Sequence, residues 1–260
     1  MTTTTAPVEK LDIGKVIQVS FALVQRYLST FAILSLLLAA LPALLNAFVQ
    51  SQTMASVGAF GARYSSTSGV WLGVLGWLIT LCANAVYQAA SIQISVSDLN
   101  GRAIKVSDSL RLGQKHLVPL IIVSLLQALA IGFGTALLIV PGMMMACAFA
   151  VAAPAQVVEN IPAMSTFRRS RDLTRGNRWR IFGLAMVYFI MIAILEGVLF
   201  SLFGGLTTLT DPTSAPRLIL LPIITMIIGT LTASSVGVLY FELRRIRDGV
   251  GATDLAAVFD

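Results

Sequence analysis

Few residues in this 260-residue chain could carry out acid–base, nucleophilic or metal chemistry. There is one histidine, His116, and the two cysteines, Cys82 and Cys147, lie far apart inside apolar segments. Catalysis or metal binding would need several such side chains, together with carboxylates, gathered at one place. The sequence shows no such cluster. We therefore expect no catalytic residue, no metal site and no cofactor, and we interpret both thiols as small packing groups.

Arginines are concentrated in one stretch, which includes Arg168, Arg171, Arg175 and Arg178 at intervals of three, four and three residues. On a continuous helix this spacing places them on one face, although Gly176 would interrupt it. Arginine can hold a phosphate with two hydrogen bonds, and a cation beside a membrane attracts anionic lipid by about 1 kcal/mol. The four arginines are therefore candidates for binding lipid headgroups or a protein partner. The alternative is that they only fix the orientation of the chain in a membrane.

Glu196 is the one acidic residue that lies well inside an apolar segment. An ionisable group at such a depth is a functional hypothesis by default, because its charge is costly in hydrocarbon. It could be protonated, hydrogen-bonded to an amide such as Asn84 or Gln127, or close enough to the membrane surface to reach water. Proton-linked function and a local structural role are both open interpretations.

A row of polar residues recurs at helical spacing within another apolar segment, formed by Thr80, Asn84, Gln88, Ser91 and Ser95. These residues share one helical face. Contact between polar side chains and lipid is unfavourable, so this face should point into a helix bundle. Such a row can line a path for a solute. More often it forms hydrogen bonds between helices.

The composition indicates a membrane protein. Hydrophobic residues make up 57% of the chain and charged residues only 12%, whereas soluble domains carry about 25% charged residues. The apolar residues form blocks of roughly 20, the length at which a helix crosses ~30 Å of hydrocarbon. We predict an all-α polytopic membrane protein with about six transmembrane helices, near residues 28–50, 70–97, 117–139, 142–158, 181–205 and 216–241.

The predicted membrane domain covers residues 11–247, with a disordered tail at 1–10 and a second tail at 248–260. Val140, Pro141 and Gly142 predict a tight turn between the third and fourth spans, because proline fixes φ and glycine permits a sharp reversal.

Positive residues are distributed unevenly between the two ends of the spans. All 18 lysines and arginines except Arg63 and Arg217 flank the spans on one side. Short loops rich in these residues stay in the cytoplasm, and an even number of spans brings both termini to one side. We therefore predict that both termini are cytoplasmic. On this side Asp98, Glu159 and Glu242 end the second, fourth and sixth spans, where they can pair with basic residues.

A short pattern of an amide, a cation and a ring precedes the first, third and fifth spans: Gln25-Arg26-Tyr27, Gln114-Lys115-His116 and Asn177-Arg178-Trp179. Gly113 and Gly176 come before the second and third copies, as expected for residues that end a helix. We hypothesise three pseudo-repeated units, each an interfacial amphipathic helix followed by a transmembrane hairpin. The alternative is chance, because basic and aromatic anchors flank most membrane helices, and His116 alone is most simply such an anchor.

Three stretches carry a resemblance to a known family: LIVPGM at 138–143, SRDLTRGNRWR at 170–180 and YFELRR at 240–245. They resemble the bacterial membrane-domain family named for glycerophosphoryl diester phosphodiesterase, over about residues 11–250. The name comes from members that fuse this region to a soluble phosphodiesterase domain, which stand-alone members lack. The resemblance implies a stand-alone membrane region in a bacterial inner membrane, without catalysis.

Two functions are compatible with these features, and an enzyme is the least expected class. The first is a non-catalytic membrane protein whose basic cytoplasmic face binds anionic lipids or a protein partner. The partner would be another protein or a second copy of the chain, and we expect no binding to nucleic acid. The alternative is a small transporter or permease that uses Glu196 and the polar face of the second span, chiefly Asn84 and Gln88. Broken helices would favour transport, and the prolines that could break them are Pro42, Pro119, Pro154 and Pro222.

Overall fold

The computed structural model describes residues 10–46, 67–101, 111, 113–114, 116–203 and 215–249. Within these ranges the chain folds into helices and contains no β-strand. Six of the helical segments are long and apolar enough to cross a membrane. The protein is therefore an all-α polytopic membrane protein, as the composition predicted.

The helices follow one another with short breaks. An amphipathic helix, α1 (Ile13–Arg26), precedes the first span, α2 (Leu28–Asn46), and a second amphipathic helix, α7 (Ala163–Thr174), precedes the fifth. The remaining helices are α3 (Thr67–Leu99), α4 (Leu117–Leu137), α5 (Ile139–Ala148), α6 (Ala152–Glu159), α8 (Arg178–Phe203) and α9 (Ala215–Asp248). Together α5 and α6 form the fourth span.

The predicted tails lie almost entirely outside the described residues. Of the N-terminal tail only Lys10 is described, and of the C-terminal tail only Asp248 and Gly249. Asp248 is the last residue of α9 rather than part of a tail. The final helix therefore extends past the predicted end of the sixth span at residue 241.

The outer surface of the spans is apolar, as a bilayer requires. Large hydrophobic side chains are exposed along α4 and α8, including Val118 at 62%, Phe133 at 68% and Phe189 at 67%. In water this exposure would be costly, at roughly 25 cal/mol for each Å² of apolar surface. Hydrocarbon removes that cost, so these faces are the ones that contact lipid.

The largest packed core lies at one end of the bundle, where α1, α6 and α7 meet the C-terminal parts of α3 and α9. Val16, Ile92, Ala155, Leu173 and Tyr240 are each at most 1% exposed in this core. The same region contains the first residues of α4 and α8. We call this region the basic end, because most of the described lysines and arginines lie there.

The fourth span is broken. Helix α5 ends at Ala148 and α6 begins at Ala152. Pro154 lies in the first turn of α6, where a backbone N–H would have no acceptor within the helix, so its absence costs nothing. In a continuous helix the proline ring would clash with the carbonyl group of Ala150. The break frees carbonyl groups at the end of α5, and the Ala148 oxygen accepts hydrogen bonds from Ser170 at 2.9 Å and Thr174 at 3.3 Å.

The other prolines do not break their helices. Pro42 follows a π-helical turn at Leu36–Ala40, which widens the first span just before the proline. Pro119 lies in the first turn of α4, and Pro222 lies inside a continuous α9. Of the four predicted break points, only Pro154 is associated with a broken span.

The third and fourth spans form a tight hairpin, but the predicted turn residues are wrong. Leu138 alone is non-helical, and Val140, Pro141 and Gly142 belong to the first turn of α5. Proline is favourable there because the first-turn N–H groups have no partner. A Cβ on Gly142 would lie 2.1 Å from Oγ1 of Thr135. Close packing of α4 against α5, rather than chain reversal, explains this glycine.

The first and third hypothesised repeat units have buried residues at matching positions. Matching positions stand 150 residues apart: Ser20 and Ser170, Leu23 and Leu173, and Phe31 and Ile181. This spacing aligns Tyr27 with Asn177, which directly precedes α8, and not with Trp179. The third copy of the sequence pattern is therefore shifted by two residues, and the superposition of the three hairpins stays a prediction.

The two glycines that were expected to end helices differ. Gly176 follows α7 with φ at +88°, a conformation that glycine adopts without strain, as predicted. Gly113 is helical and has no positive φ, so its predicted role is wrong. A Cβ there would lie 3.0 Å from the carbonyl oxygen of Val86, so the glycine allows close packing against α3.

Candidate functional site

The carboxylates that end the spans at the basic end are paired, as their positions predicted. Asp98, at the end of α3, accepts two hydrogen bonds of 3.0 Å from one nitrogen of Arg26. The Tyr27 hydroxyl donates to the same carboxylate at 2.8 Å, and this hydrogen bond raises the pKa of Tyr27 above its ordinary value. These contacts fix the end of α1 against the end of α3.

Glu159 is the centre of a second set of contacts. Its carboxylate pairs with Arg169 at 2.9 Å and accepts a hydrogen bond of 2.8 Å from the Tyr240 hydroxyl. Arg169 also pairs with Asp248, and the hydrogen bonds to these two carboxylates raise the pKa of its guanidinium group. Arg169 therefore connects α6, α7 and α9.

Glu242 joins the first helix of the chain to the last. It lies 2.9 Å from Nζ of Lys15 on α1 and 3.2 Å from Arg245 on its own helix. The residue is 8% exposed, so this pair is more shielded from water than an ordinary surface ion pair. Asp98, Glu159, Glu242 and Asp248 therefore hold helices together, whereas Asp172 on α7 is exposed and forms no ion pair with a described residue.

Arg168, Arg171, Arg175 and Arg178 form no ion pair with any described carboxylate. The same is true of Lys10, Arg111, Arg180 and Arg247, which are spread over other parts of the chain. Arg168, Arg171 and Arg175 are exposed. Their neighbours are engaged, since Arg169 pairs with two acids and Arg180 donates to the Leu11 carbonyl oxygen. The spacing of the arginines in the sequence had already identified Arg168, Arg171, Arg175 and Arg178 as candidates.

The single helical face predicted for these arginines is interrupted, as Gly176 indicated. Arg168 and Arg171 lie on α7, which ends at Thr174. Arg175 has an extended conformation, and Arg178 is the first residue of α8. The arginines therefore form two pairs, one on the surface of α7 and one at the turn between α7 and α8.

The second pair lines a groove of about 400 Å³ between α5 and the start of α8. We call this cavity the arginine groove. Its polar end contains Arg175, Gly176 and Arg178, and Nε of Arg178 is buried without a hydrogen-bond partner in the described structure. The other lining residues are Val140, Met143, Met144, Cys147, Trp179 and Phe182.

A second cavity, of about 310 Å³, lies between α2, α3, α4 and α9. Asn84 and Gln88 line it, together with Ser124 and Thr232, and none of the described lining residues is charged. Asn84 stands 14 residues before Asp98, which corresponds to ~21 Å along the helix axis. This polar cavity is therefore well inside the membrane.

Glu196 is not among the residues that line either cavity. It is partly buried on α8 and forms no hydrogen bond or ion pair with a described residue. A hydrogen bond to Asn84 or Gln127, one of the three alternatives for this residue, is therefore absent from the described structure. Glu196 lies 18 residues after Arg178, ~27 Å along α8, which places it close to the far surface of a ~30 Å core.

The polar row of the second span divides into three parts. Thr80 accepts a hydrogen bond from Asn46 of α2 and Asn84 donates to the Thr80 carbonyl oxygen, so this part links neighbouring turns and helices. Asn84 and Gln88 reach the cavity. Ser91 and Ser95 are completely buried.

Several residues that connect the helices could not be selected from the sequence. Tyr87 donates to Thr230 at 3.1 Å, and Ser235 pairs with Tyr188. Tyrosine and hydroxyl side chains are common in membrane helices, and no sequence signal identifies which of them meet. His116, expected to be a half-buried anchor, is 5% exposed at the start of α4.

Comparison with known protein families matches part of the chain. The family model described as a domain of unknown function, DUF7847, matches residues 122–243. This range includes the arginine stretch and the whole arginine groove, but fewer than half of the residues that line the polar cavity. No curated protein and no solved structure matches the chain. The resemblance to the glycerophosphoryl diester phosphodiesterase membrane-domain family therefore stays a prediction.

Proposed function

We propose that this protein is a non-catalytic protein of a bacterial inner membrane, with both termini in the cytoplasm, whose basic end binds anionic lipid headgroups. One observation supports the proposal above the others. Asp98, Glu159, Glu242 and Asp248 are paired with other cations, whereas Arg168, Arg171, Arg175 and Arg178 form no ion pair with any described carboxylate. Cations needed only for packing would be expected to have partners.

The size of the effect is adequate for selective binding. Each cation near a charged membrane surface contributes about 1 kcal/mol. Four would contribute about 4 kcal/mol, which corresponds to roughly a thousand-fold preference for anionic over neutral lipid. Screening by salt reduces this value at the exposed positions, which are three of the four.

Native mass spectrometry of the protein extracted in mild detergent tests the proposal. The variant Arg168→Gln/Arg171→Gln removes two exposed, unpaired charges without disturbing a packed contact. We expect it to retain fewer anionic lipids than the wild type. The matched control, Arg168→Lys/Arg171→Lys, keeps both positive charges at the same exposed positions and should retain them. Equal lipid retention in all three proteins would contradict the proposal, and a retained partner subunit would favour a protein ligand.

The second candidate function is the passage of a small uncharged solute through the membrane. The polar cavity favours it, because Asn84 and Gln88 reach the cavity and the Gln88 amide makes no hydrogen bond with a described residue. Glu196 has no place in this function, since it does not line the cavity. Proteoliposomes given an osmotic gradient of glycerol or urea should then swell faster with wild-type protein than with Asn84→Leu/Gln88→Leu. Equal rates would exclude this candidate for those solutes.

A further inference from the structure

The arginine groove has the two-part chemistry of a phospholipid. We infer that it holds one anionic glycerophospholipid, with the phosphate at Arg175 and Arg178 and the first part of one acyl chain along α5. This inference rests on the proposed function, because it assigns one specific site within the basic end. It differs in predicting one tightly held lipid rather than a general enrichment of anionic lipid.

The polar end of the groove lacks a negative charge. Neither Arg175 nor Arg178 pairs with a described carboxylate, and Nε of Arg178 is buried without an acceptor. Leaving such a donor unbonded is unfavourable, and a phosphate oxygen can accept from a guanidinium group with good geometry. Arg178 is also the first residue of α8, a helix of 26 residues whose N-terminus attracts anions.

The opposite end of the groove is apolar. Val140, Met143 and Met144 lie on one face of α5, and Phe182 faces them from α8. Seven residues separate Val140 from Cys147, so this wall is ~10 Å long. Methionine side chains adapt their shape to irregular neighbours, as a flexible acyl chain requires. A free inorganic anion would leave this wall uncovered, whereas a lipid covers both ends.

The dimensions favour part of one lipid rather than a whole soluble ligand. At about 400 Å³ the groove lies near the lower limit for ligand pockets. It can therefore enclose the phosphate region and the beginning of one chain, while the remainder stays in the bilayer. Trp179, at the rim, is 86% exposed, and tryptophan is the residue most typical of the headgroup level.

Titration of delipidated protein with defined lipids, followed by native mass spectrometry, tests the site. The lipids are phosphatidylglycerol, which is anionic, and phosphatidylcholine, which has no net charge. We expect one phosphatidylglycerol to bind before all others, and Arg175→Gln/Arg178→Gln to weaken this first binding step by about tenfold or more. Binding of both lipids with the same affinity would overturn the inference.

A second pair of variants tests the apolar wall without changing any charge. Val140→Trp/Met144→Trp fills the groove and should also remove the first lipid. The control Phe189→Trp adds a similar group on the lipid-facing side of α8 and should not. If the filled groove still binds the first lipid, or if inorganic phosphate displaces it, the groove is not a phospholipid site.

Failure of this inference can be told from failure of the proposed function. Loss of general anionic lipid in Arg168→Gln/Arg171→Gln, with no first lipid affected by the groove variants, would overturn the groove site and leave the proposed function standing. Absence of any preference for anionic lipid in the wild type would overturn both.

Discussion

At the level of single residues, the carboxylates at the basic end and the carboxylate on the fifth span have different surroundings. Glu159 accepts from Arg169 and Tyr240, whereas Glu196 has no described partner. The sequence made Glu196 the more interesting residue, because charge inside an apolar segment is conspicuous. It gave Glu159 only a position at the end of a span, since pairing depends on which helices are neighbours.

The two glutamates should therefore respond differently to neutralisation. We expect Glu159→Gln to lower the stability of the detergent-solubilised protein by about 1–3 kcal/mol, because a partly buried cation and a hydroxyl lose their charged acceptor. Glu196→Gln should change it by less than about 0.5 kcal/mol. Thermal unfolding of the two variants beside the wild type measures both effects. A larger loss in Glu196→Gln would mean that Glu196 has a structural partner.

At the level of helices, the existence of the spans was predictable and their details were not. A bilayer requires about 20 apolar residues for each crossing, so the blocks could be counted directly. The motif Val140-Pro141-Gly142 is compatible with both a turn and the first turn of a helix. Contact between Gly142 and Thr135 decides between them, and the sequence does not contain that contact in any readable form.

The packing role of Gly142 can be tested against a second glycine of the same hairpin. A Cβ at Gly142 would collide with Thr135, whereas nothing lies within 4 Å of a Cβ at Gly132 on α4. We expect Gly142→Ala to destabilise the protein by about 1–3 kcal/mol, because the two helices must separate. Gly132→Ala should be neutral or slightly stabilising. Equal melting temperatures for both variants would show that α4 and α5 can move apart without loss of stability.

At the level of the whole molecule, charge and packing are both concentrated at one end. The large core and all the described carboxylate pairs occur at the basic end, while the spans present apolar side chains outward. The sequence predicted the charge asymmetry and the four arginines. It could not predict the arginine groove, because α5 and α8 become neighbours only through the order of helices around the bundle.

The most direct measurement of lipid selectivity uses Trp179 as a reporter of the surrounding lipid. The other two tryptophans, Trp71 and Trp77, lie on α3. Replacing both with phenylalanine leaves Trp179 as the sole tryptophan of the chain. This protein is placed in phosphatidylcholine bilayers that contain brominated phosphatidylglycerol or brominated phosphatidylcholine, which quench tryptophan fluorescence on contact. The comparison is repeated after neutralising Arg168, Arg171, Arg175 and Arg178.

If the basic end binds anionic headgroups, brominated phosphatidylglycerol will quench Trp179 more strongly than brominated phosphatidylcholine at the same mole fraction. Replacing the four arginines with glutamine will then reduce the difference, because four cations near Trp179 no longer attract the anionic headgroup. Equal quenching by both lipids, or a preference that the fourfold replacement leaves unchanged, would contradict the proposed function.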